Sequence, residues 1–341
     1  MNPIRVGVIG VGRMGQRHCR VYANLRRAQL IGVSDVSAKQ GRQVAQQYDV
    51  QYFDDVDELL KNVDAVSIAT PTPMHYDLAM RCIEKGVHVL VEKPITETLA
   101  QAEGLTGAAE TSNLVVQVGH IERFNTAYME MKNVFENMKV LAVNFRRLSP
   151  SEGSNVDVDV VLDLMIHDTN LVLDLMGQEP AWIEAHGLSV FSDTIDHAVA
   201  QMGFPSGQMF TLTVSRITEH KVRAIEVTAR EAFVECDLLN KNILVHRHTI
   251  GEYLNHNHRG VKYRQESIVE RIQIPIFEPQ FLELQHFVDC IVERQPSSVS
   301  ARDGLNALRL VEAIRQKILP GMVNLGERKL AAQIPQLVAA N

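Results

Sequence analysis

Ile4–Gly10, IRVGVIG, is an almost unbroken apolar run that passes directly into Gly10-Val11-Gly12-Arg13-Met14-Gly15. No other stretch restricts the fold as much. An apolar run with no alternation predicts a parallel strand buried on both faces. The G-x-G-x-x-G that follows, with a helical stretch after it, predicts a βα turn shaped for a dinucleotide. Gly10 permits the tight turn, Gly12 lets the backbone approach a pyrophosphate, and Gly15 lets helix and strand pack closely. The helix start, with Arg13 and Met14, then offers free N–H groups and positive dipole to phosphates. A second strand, AQLIGVSD, ends at Asp35. A carboxylate there accepts hydrogen bonds from ribose hydroxyls and repels a 2′-phosphate, so NAD is expected over NADP. No arginine directly follows Asp35, although Lys39 lies near in sequence.

The α/β alternation continues through DAVSIAT, HVLVEKP and LVVQVG, which brings the sheet to six strands. In open α/β sheets ligands bind beyond the carboxyl ends of the strands. Four loops of this chain sit at such ends: Gly10–Gly15, Asp35, Thr70-Pro71 through His75, and Glu92-Lys93-Pro94. Thr70, Pro71, His75, Glu92 and Lys93 therefore join the cofactor-binding candidates. A loop lysine is ordinarily solvated. Lys93 differs in being followed by a proline that pins the backbone, with a cis bond as one way to do so, and so aims the side chain.

At 341 residues the chain exceeds what one core usually supports. The expected division is an NAD-binding Rossmann domain over 1–119 and an α+β domain over 120–341, with a large open antiparallel sheet. Helices about 278–320 are expected to pack back on the first domain. The antiparallel sheet follows from segments that alternate with a period near two, from AWIEAHGLSV to VERIQIP. One sheet face would cover helices; the other, if apolar, would bury against a second subunit, making a homo-oligomer. A net charge of −7 argues against nucleic acid as a partner. Cys19, Cys82, Cys236 and Cys290 lie far apart and form no C-x-x-C. They read as reduced core residues of a cytoplasmic protein rather than a disulfide frame or zinc site. The strand pattern beginning at Ile4 leaves no room for a signal peptide, and no apolar run is long enough to span a bilayer.

Asp157–Gly177, DVDVVLDLMIHDTNLVLDLMG, reads as a helix with two faces. Val160, Val161, Leu164, Leu171, Val172 and Leu175 form an apolar arc. Asp159, Asp163, His167, Asn170 and Asp174 form a narrow polar one. Asp163 and His167 are i and i+4, so their side chains can meet. Asp168 projects into the apolar arc, where it needs a partner that the sequence does not name. On pattern alone the stripe reads as a solvated helix face. Facing a nucleotide site it reads as a carboxylate and imidazole at a cleft edge, with Asp159 and Asp174 as ordinary helix polarity. Arg123, Arg146, Arg147, Arg216 and Arg223 read mostly as solvated surface, with a diphosphate or carboxylate as what some could hold. His246, His248, His256 and His258 show no convincing third-ligand spacing, and no metal is expected.

GVIGVGRMGQRH, ATPTPMHYDLA and VEKPIT, in that order and spacing, resemble the Gfo/Idh/MocA family of sugar and polyol dehydrogenases. The resemblance extends over nearly the whole chain. It implies a catalytic set formed by the lysine of E-K-P and an Asp-x-x-x-His pair, which fall on Lys93, Asp163 and His167. The chemistry of an alcohol oxidation agrees: His167 is a plausible general base, and an ammonium at Lys93 would stabilise the developing alkoxide. Which of the two takes the proton stays open. Many relatives have D-x-G-x-H, where this chain has Met165, which alters helix packing or the pocket wall. GHIERFN together with DVVLDLMIHD is similar to the subgroup that oxidises the 3-hydroxyl of UDP-N-acetylglucosamine. Within that resemblance Arg123 and Asn125 join Lys93 and His167 as substrate contacts. A dehydrogenase or reductase of another substrate (inositol, another sugar, a bilin) and a non-catalytic NAD-binding regulator are the rival readings.

Overall fold

The computed structural model describes residues 2–135, 138–150, 158–191, 193–253 and 262–325. The chain forms two compact units. The first gathers Met1–Phe124 with Phe277–Leu310, and the second gathers Asn125–Ile276 with Val311–Asn341.

The first unit is a doubly wound α/β layer structure. In chain order it comprises β1 (Ile4–Ile9), α1 (Arg13–Tyr22), β2 (Ala28–Ser34), α2 (Ala38–Tyr48), β3 (Gln51–Tyr52), α3 (Val56–Leu60), β4 (Ala65–Ile68), α4 (His75–Glu84), β5 (His88–Glu92), α5 (Leu99–Thr111) and β6 (Val116–Gly119). The strands are all parallel and lie in the order β3-β2-β1-β4-β5-β6. The winding reverses between β1 and β4, and such a switch point opens a crevice at the carboxyl ends. Local chemistry sets the helix limits. Ser37 caps α2, Thr98 and Gln101 form a reciprocal capping box on α5, and Gly86 ends α4 with φ +73°. Val6, Val8, Val33 and Leu90 are fully buried, as strands covered on both faces require. Leu284, Phe287 and Val288 of α8 (Pro279–Glu293) complete the same core, and α8 packs beside α1.

The second unit begins with α6 (Thr126–Phe135) and β7 (Val140–Leu148). After a stretch of π-helix, Val161–Met165, come α7 (Ile166–Met176), β8 (Trp182–Ser189), β9 (His197–Gly203), β10 (Met209–Ser215), β11 (Val222–Ala229), β12 (Phe233–Asp237), β13 (Asn242–Tyr253) and β14 (Lys262–Ile272). Helix α9 (Ala301–Ile318) contributes its second half here, followed by β15 (Val323–Asn324). The sheet order is β14-β13-β12-β11-β7-β10-β9-β8-β15. It is not purely antiparallel, because β10 runs parallel to β7 and β15 parallel to β8. A parallel pair needs a long crossover, and the segment carrying α7 supplies it between β7 and β10. One face of the sheet is apolar and buried, through Phe145, Ala200, Phe210, Leu212, Ile225 and Val227. The opposite face is mixed rather than apolar: the Arg146–Glu226 ion pair, Asn144, Thr211 and Gln201 share it with exposed Trp182 and Met209.

The helical segment departs from the ideal pattern at its start. Asp159 is buried and caps it, its Oδ1 accepting from the N–H groups of Val161 at 3.0 Å and Leu162 at 2.9 Å, while Oδ2 takes Arg315 Nε at 2.8 Å. The π stretch has a wider turn than an α-helix, so the faces drawn at 3.6 residues per turn slip. Met165 and Asn170 are buried, whereas Leu164 and Leu175 are only partly so. Asp174 also has a structural task, receiving Lys132 Nζ at 2.8 Å and the Tyr128 hydroxyl. Two arginines expected at the surface are buried in ion pairs. Arg147 holds Asp168, and Arg216 Nε donates to Asp196 Oδ1 at 2.6 Å. Burial alone would push the Asp196 carboxyl up. The N–H groups of Val190 and Phe191 and the Arg216 guanidinium outweigh it and hold the group below its usual range.

Candidate active site

Each glycine of the first turn has a distinct steric reason. Gly10 has φ +81°, and a Cβ there would lie 2.8 Å from the Ala69 carbonyl oxygen. At Gly15 a Cβ would fall 1.9 Å from the Gly10 carbonyl oxygen, so only glycine allows α1 to pack this close. A Cβ on Gly12 would meet nothing within 4 Å. Gly12 precedes the first residue of α1, with Arg13 exposed and Met14 half-buried after it, and the N–H groups of that first turn have no helical acceptor. Open space before unsatisfied N–H groups fits a diphosphate.

Asp35, just beyond β2, closes on this turn. Its Oδ2 accepts from Val11 N–H at 2.7 Å and its Oδ1 from Ser37 N–H at 2.8 Å, which fixes the carboxylate. Beside it lies a cavity of about 280 Å³ lined by Gln16, Ser37, Lys39, Gln40 and Gln43 among others. At the end of β4, Thr70 is half-buried, and its Oγ1 has no hydrogen-bond partner among the described residues. Such a hydroxyl is available to a ligand. Pro71 next to it is exposed. These groups fit a bound dinucleotide.

Two residues expected to touch the cofactor also make hydrogen bonds within the first unit. His75 is buried, with its ring nitrogens 2.9 Å from the carbonyl oxygens of Pro94 and Thr70, so it ties two loops together. Glu92 directs Oε1 to His18 Nε2 at 2.9 Å, and Oε2 accepts the Lys93 N–H at 3.3 Å. Burial would push its carboxyl up; His18 and Lys93 bring it below the usual range. Glu283 of α8 is wholly buried, and neither carboxylate oxygen has a hydrogen-bond partner among the described residues. Burial first, and then the charge of Glu92, push its carboxyl well above the usual range. Sequence periodicity gives no sign of this His18–Glu92–Glu283 group, because α8 joins the unit from more than 150 residues away.

Lys93 is half-buried and precedes a cis peptide bond to Pro94. Arg123 donates from Nη2 to the Ser298 carbonyl at 3.0 Å. All of these belong to the first unit. In the second, Asp163 and His167 are both half-buried, Asp163 in the π stretch and His167 in the first turn of α7. Asn125 is buried, its Nδ2 donating to Leu238 O at 3.1 Å and its Oδ1 accepting from Ala127 N–H at 3.1 Å. The second of these bonds caps the start of α6. Among the described residues no cluster of three or more His, Cys, Asp or Glu is placed to hold a metal. His246 pairs with Glu235 at 2.7 Å; the side chain of His248 and all of His256 and His258 lie outside the described residues. The four cysteines are buried, and no described helix is long and apolar enough to cross a membrane.

A Rossmann sheet whose glycine turn and acidic residue meet at the carboxyl ends of adjacent strands defines a dinucleotide-binding protein. The family described as an oxidoreductase family with an NAD-binding Rossmann fold (GFO_IDH_MocA) matches residues 4–120, and its C-terminal domain matches residues 141–235. The chain belongs to this Gfo/Idh/MocA family of NAD-binding oxidoreductases. It is 36% identical to a UDP-N-acetylglucosamine 3-dehydrogenase of Acidithiobacillus ferrooxidans over 249 residues, 73% of this chain and 78% of that one. A solved structure of that enzyme from the same organism superposes with a TM-score of 0.83 at 31% identity, covering 93% of this chain and 98% of the other. A scyllo-inositol 2-dehydrogenase (NAD(+)) of Bacillus subtilis is 28% identical over 84% of this chain and 86% of its own length.

Proposed function

We propose that the protein oxidises a secondary hydroxyl of a sugar with NAD, and that its substrate is a UDP-N-acetylhexosamine, converted at C3 to the 3-keto sugar. The observation that carries this reading is the likeness, over most of both chains, to a dehydrogenase of UDP-N-acetylglucosamine. Retention of Lys93, Asp163 and His167 on half-buried positions supports it. Asp35 supports NAD over NADP, since a fixed carboxylate receives ribose hydroxyls and repels a 2′-phosphate. The cavity beside Asp35 offers Lys39 but no arginine among its lining residues.

A bound nicotinamide would supply the acceptor for the hydride of the carbinol carbon. The protein has to remove the hydroxyl proton and stabilise the oxygen as charge develops. Between them His167 and Lys93 do both, one taking the proton and the other stabilising the oxygen. Asp163 orients the imidazole or a neighbouring hydroxyl, and Arg123 contributes to holding the substrate. The working form is a cytoplasmic homo-oligomer; exposed Trp182 and Met209 on the open sheet face and the four reduced cysteines support that part.

Likeness to inositol dehydrogenases favours a second reading, oxidation of a free cyclic polyol. NADH formation measured over a panel of UDP-sugars and inositols separates the two. Turnover of UDP-N-acetylglucosamine well above every inositol is expected. Absence of turnover with all UDP-sugars overturns the first reading, and turnover of an inositol then establishes the second.

A further inference from the structure

His120 follows β6, and Glu92 at the end of β5 is registered against Gly119 at the end of β6. Lys93 and His120 therefore leave adjacent strands at the carboxyl edge of the sheet, where ligands of this fold bind. His120 is 1% exposed, and among the described residues neither Nδ1 nor Nε2 has a hydrogen-bond partner. Other histidines of this unit do have ring partners. His18 has Glu92, His75 has two carbonyls, and His88 Nδ1 accepts the Val115 N–H at 2.8 Å. The backbone of His120 is fixed, its N–H donating to Val118 O at 2.8 Å and its carbonyl accepting from Arg123 N–H at 3.0 Å. Leaving both nitrogens of a buried imidazole unsatisfied is costly, and such a group calls for a functional reason.

We propose that His120 is a substrate-binding residue that hydrogen-bonds a hydroxyl of the alcohol held beside Lys93. The proposal rests on the reading of the protein as a sugar dehydrogenase. Burial first, and then the charges of Arg123 and Lys93, lower the imidazole pKa to about 3. The ring is therefore neutral while the enzyme works, with one N–H to donate and one lone pair to accept. Hydroxyls, which both donate and accept, are complementary to it. A base this weak takes no proton from an alcohol, so His120 differs in kind from His167. It adds no positive charge beside Lys93.

The test uses the full-length protein and its variants His120→Ala, His120→Asn and His120→Gln, on whichever alcohol of the panel the wild type oxidises. Loss of a substrate hydrogen bond predicts kcat/KM lower by about 10- to 100-fold in His120→Ala. The loss should be the same from pH 6 to pH 9, with partial rescue by His120→Asn or His120→Gln. The NAD dissociation constant should stay within about twofold of wild type, by calorimetry. A kcat/KM within threefold of wild type in a folded variant overturns the proposal. So does an equal loss of NAD affinity, which marks a structural role. Calorimetric binding of UDP-N-acetylglucosamine to the NAD-loaded protein reads the same contact without turnover. Equal binding by wild type and His120→Ala, or no binding to the wild type together with no panel turnover, overturns it. If UDP-sugars fail and an inositol serves, the same comparison on that inositol decides for His120, and only the proposed substrate is lost.

Discussion

Arg147 of β7 closes on Asp168 of α7 through Nε at 2.9 Å and Nη2 at 2.6 Å, both to Oδ1, with side chains 3% and 2% exposed. This is the partner that the apolar setting of Asp168 requires. It fastens the helix carrying His167 to the sheet from within.

Removing either partner leaves the other charge buried. Asp168→Ala and Arg147→Ala are each expected to destabilise the second unit by about 3–5 kcal/mol. Replacing both with apolar residues of similar volume should cost much less. Urea denaturation of the three variants checks this; additive losses in the double variant would contradict it.

Glu283 gives the stability a pH dependence of definite sign. Its folded pKa lies above the unfolded value, so its contribution is full below the usual glutamate pKa and is lost as pH rises toward the folded value. Within that window the group lowers stability by about 1.4 kcal/mol per pH unit. Glu283→Gln resembles the protonated form and removes that slope. Denaturation at pH 5 and pH 8 should show the variant gaining on the wild type at the higher pH, and parallel curves would disprove the effect.

The three glycines should separate by experiment. Gly15→Ala meets the Gly10 carbonyl and Gly10→Ala meets Ala69, so both lose stability along with NAD binding. Gly12→Ala has room in the free protein, so its melting temperature should hold while its NAD affinity falls. Thermal melts beside NAD titrations distinguish them.

Lys93→Ala and His167→Ala should each lower kcat by about 10²–10⁴-fold while NAD affinity stays near wild type. Steady-state rates with calorimetric NAD binding measure both. Near-normal activity in His167→Ala would remove it from the acid–base pair.

The sequence by itself determined the first sheet and its cofactor edge. Strand periodicity, the spacing of Gly10, Gly12 and Gly15, and the place of Asp35 are local properties, written within one βαβ unit. The alternating strands of the second unit were equally legible, but their pairing was not: β10 beside β7 in parallel depends on where the chain returns after α7. A single helical pitch does not describe the helical stripe, because it includes a π stretch; Asn170 is buried, and Asp159 and Asp174 have partners on other elements. The buried polar groups were decided by the tertiary structure alone. Asp168 meets Arg147 from 21 residues away and Glu92 meets His18 from 74. His120 is defined by a pairing it does not make. A buried charge or imidazole follows no period, because its partner is chosen by folding.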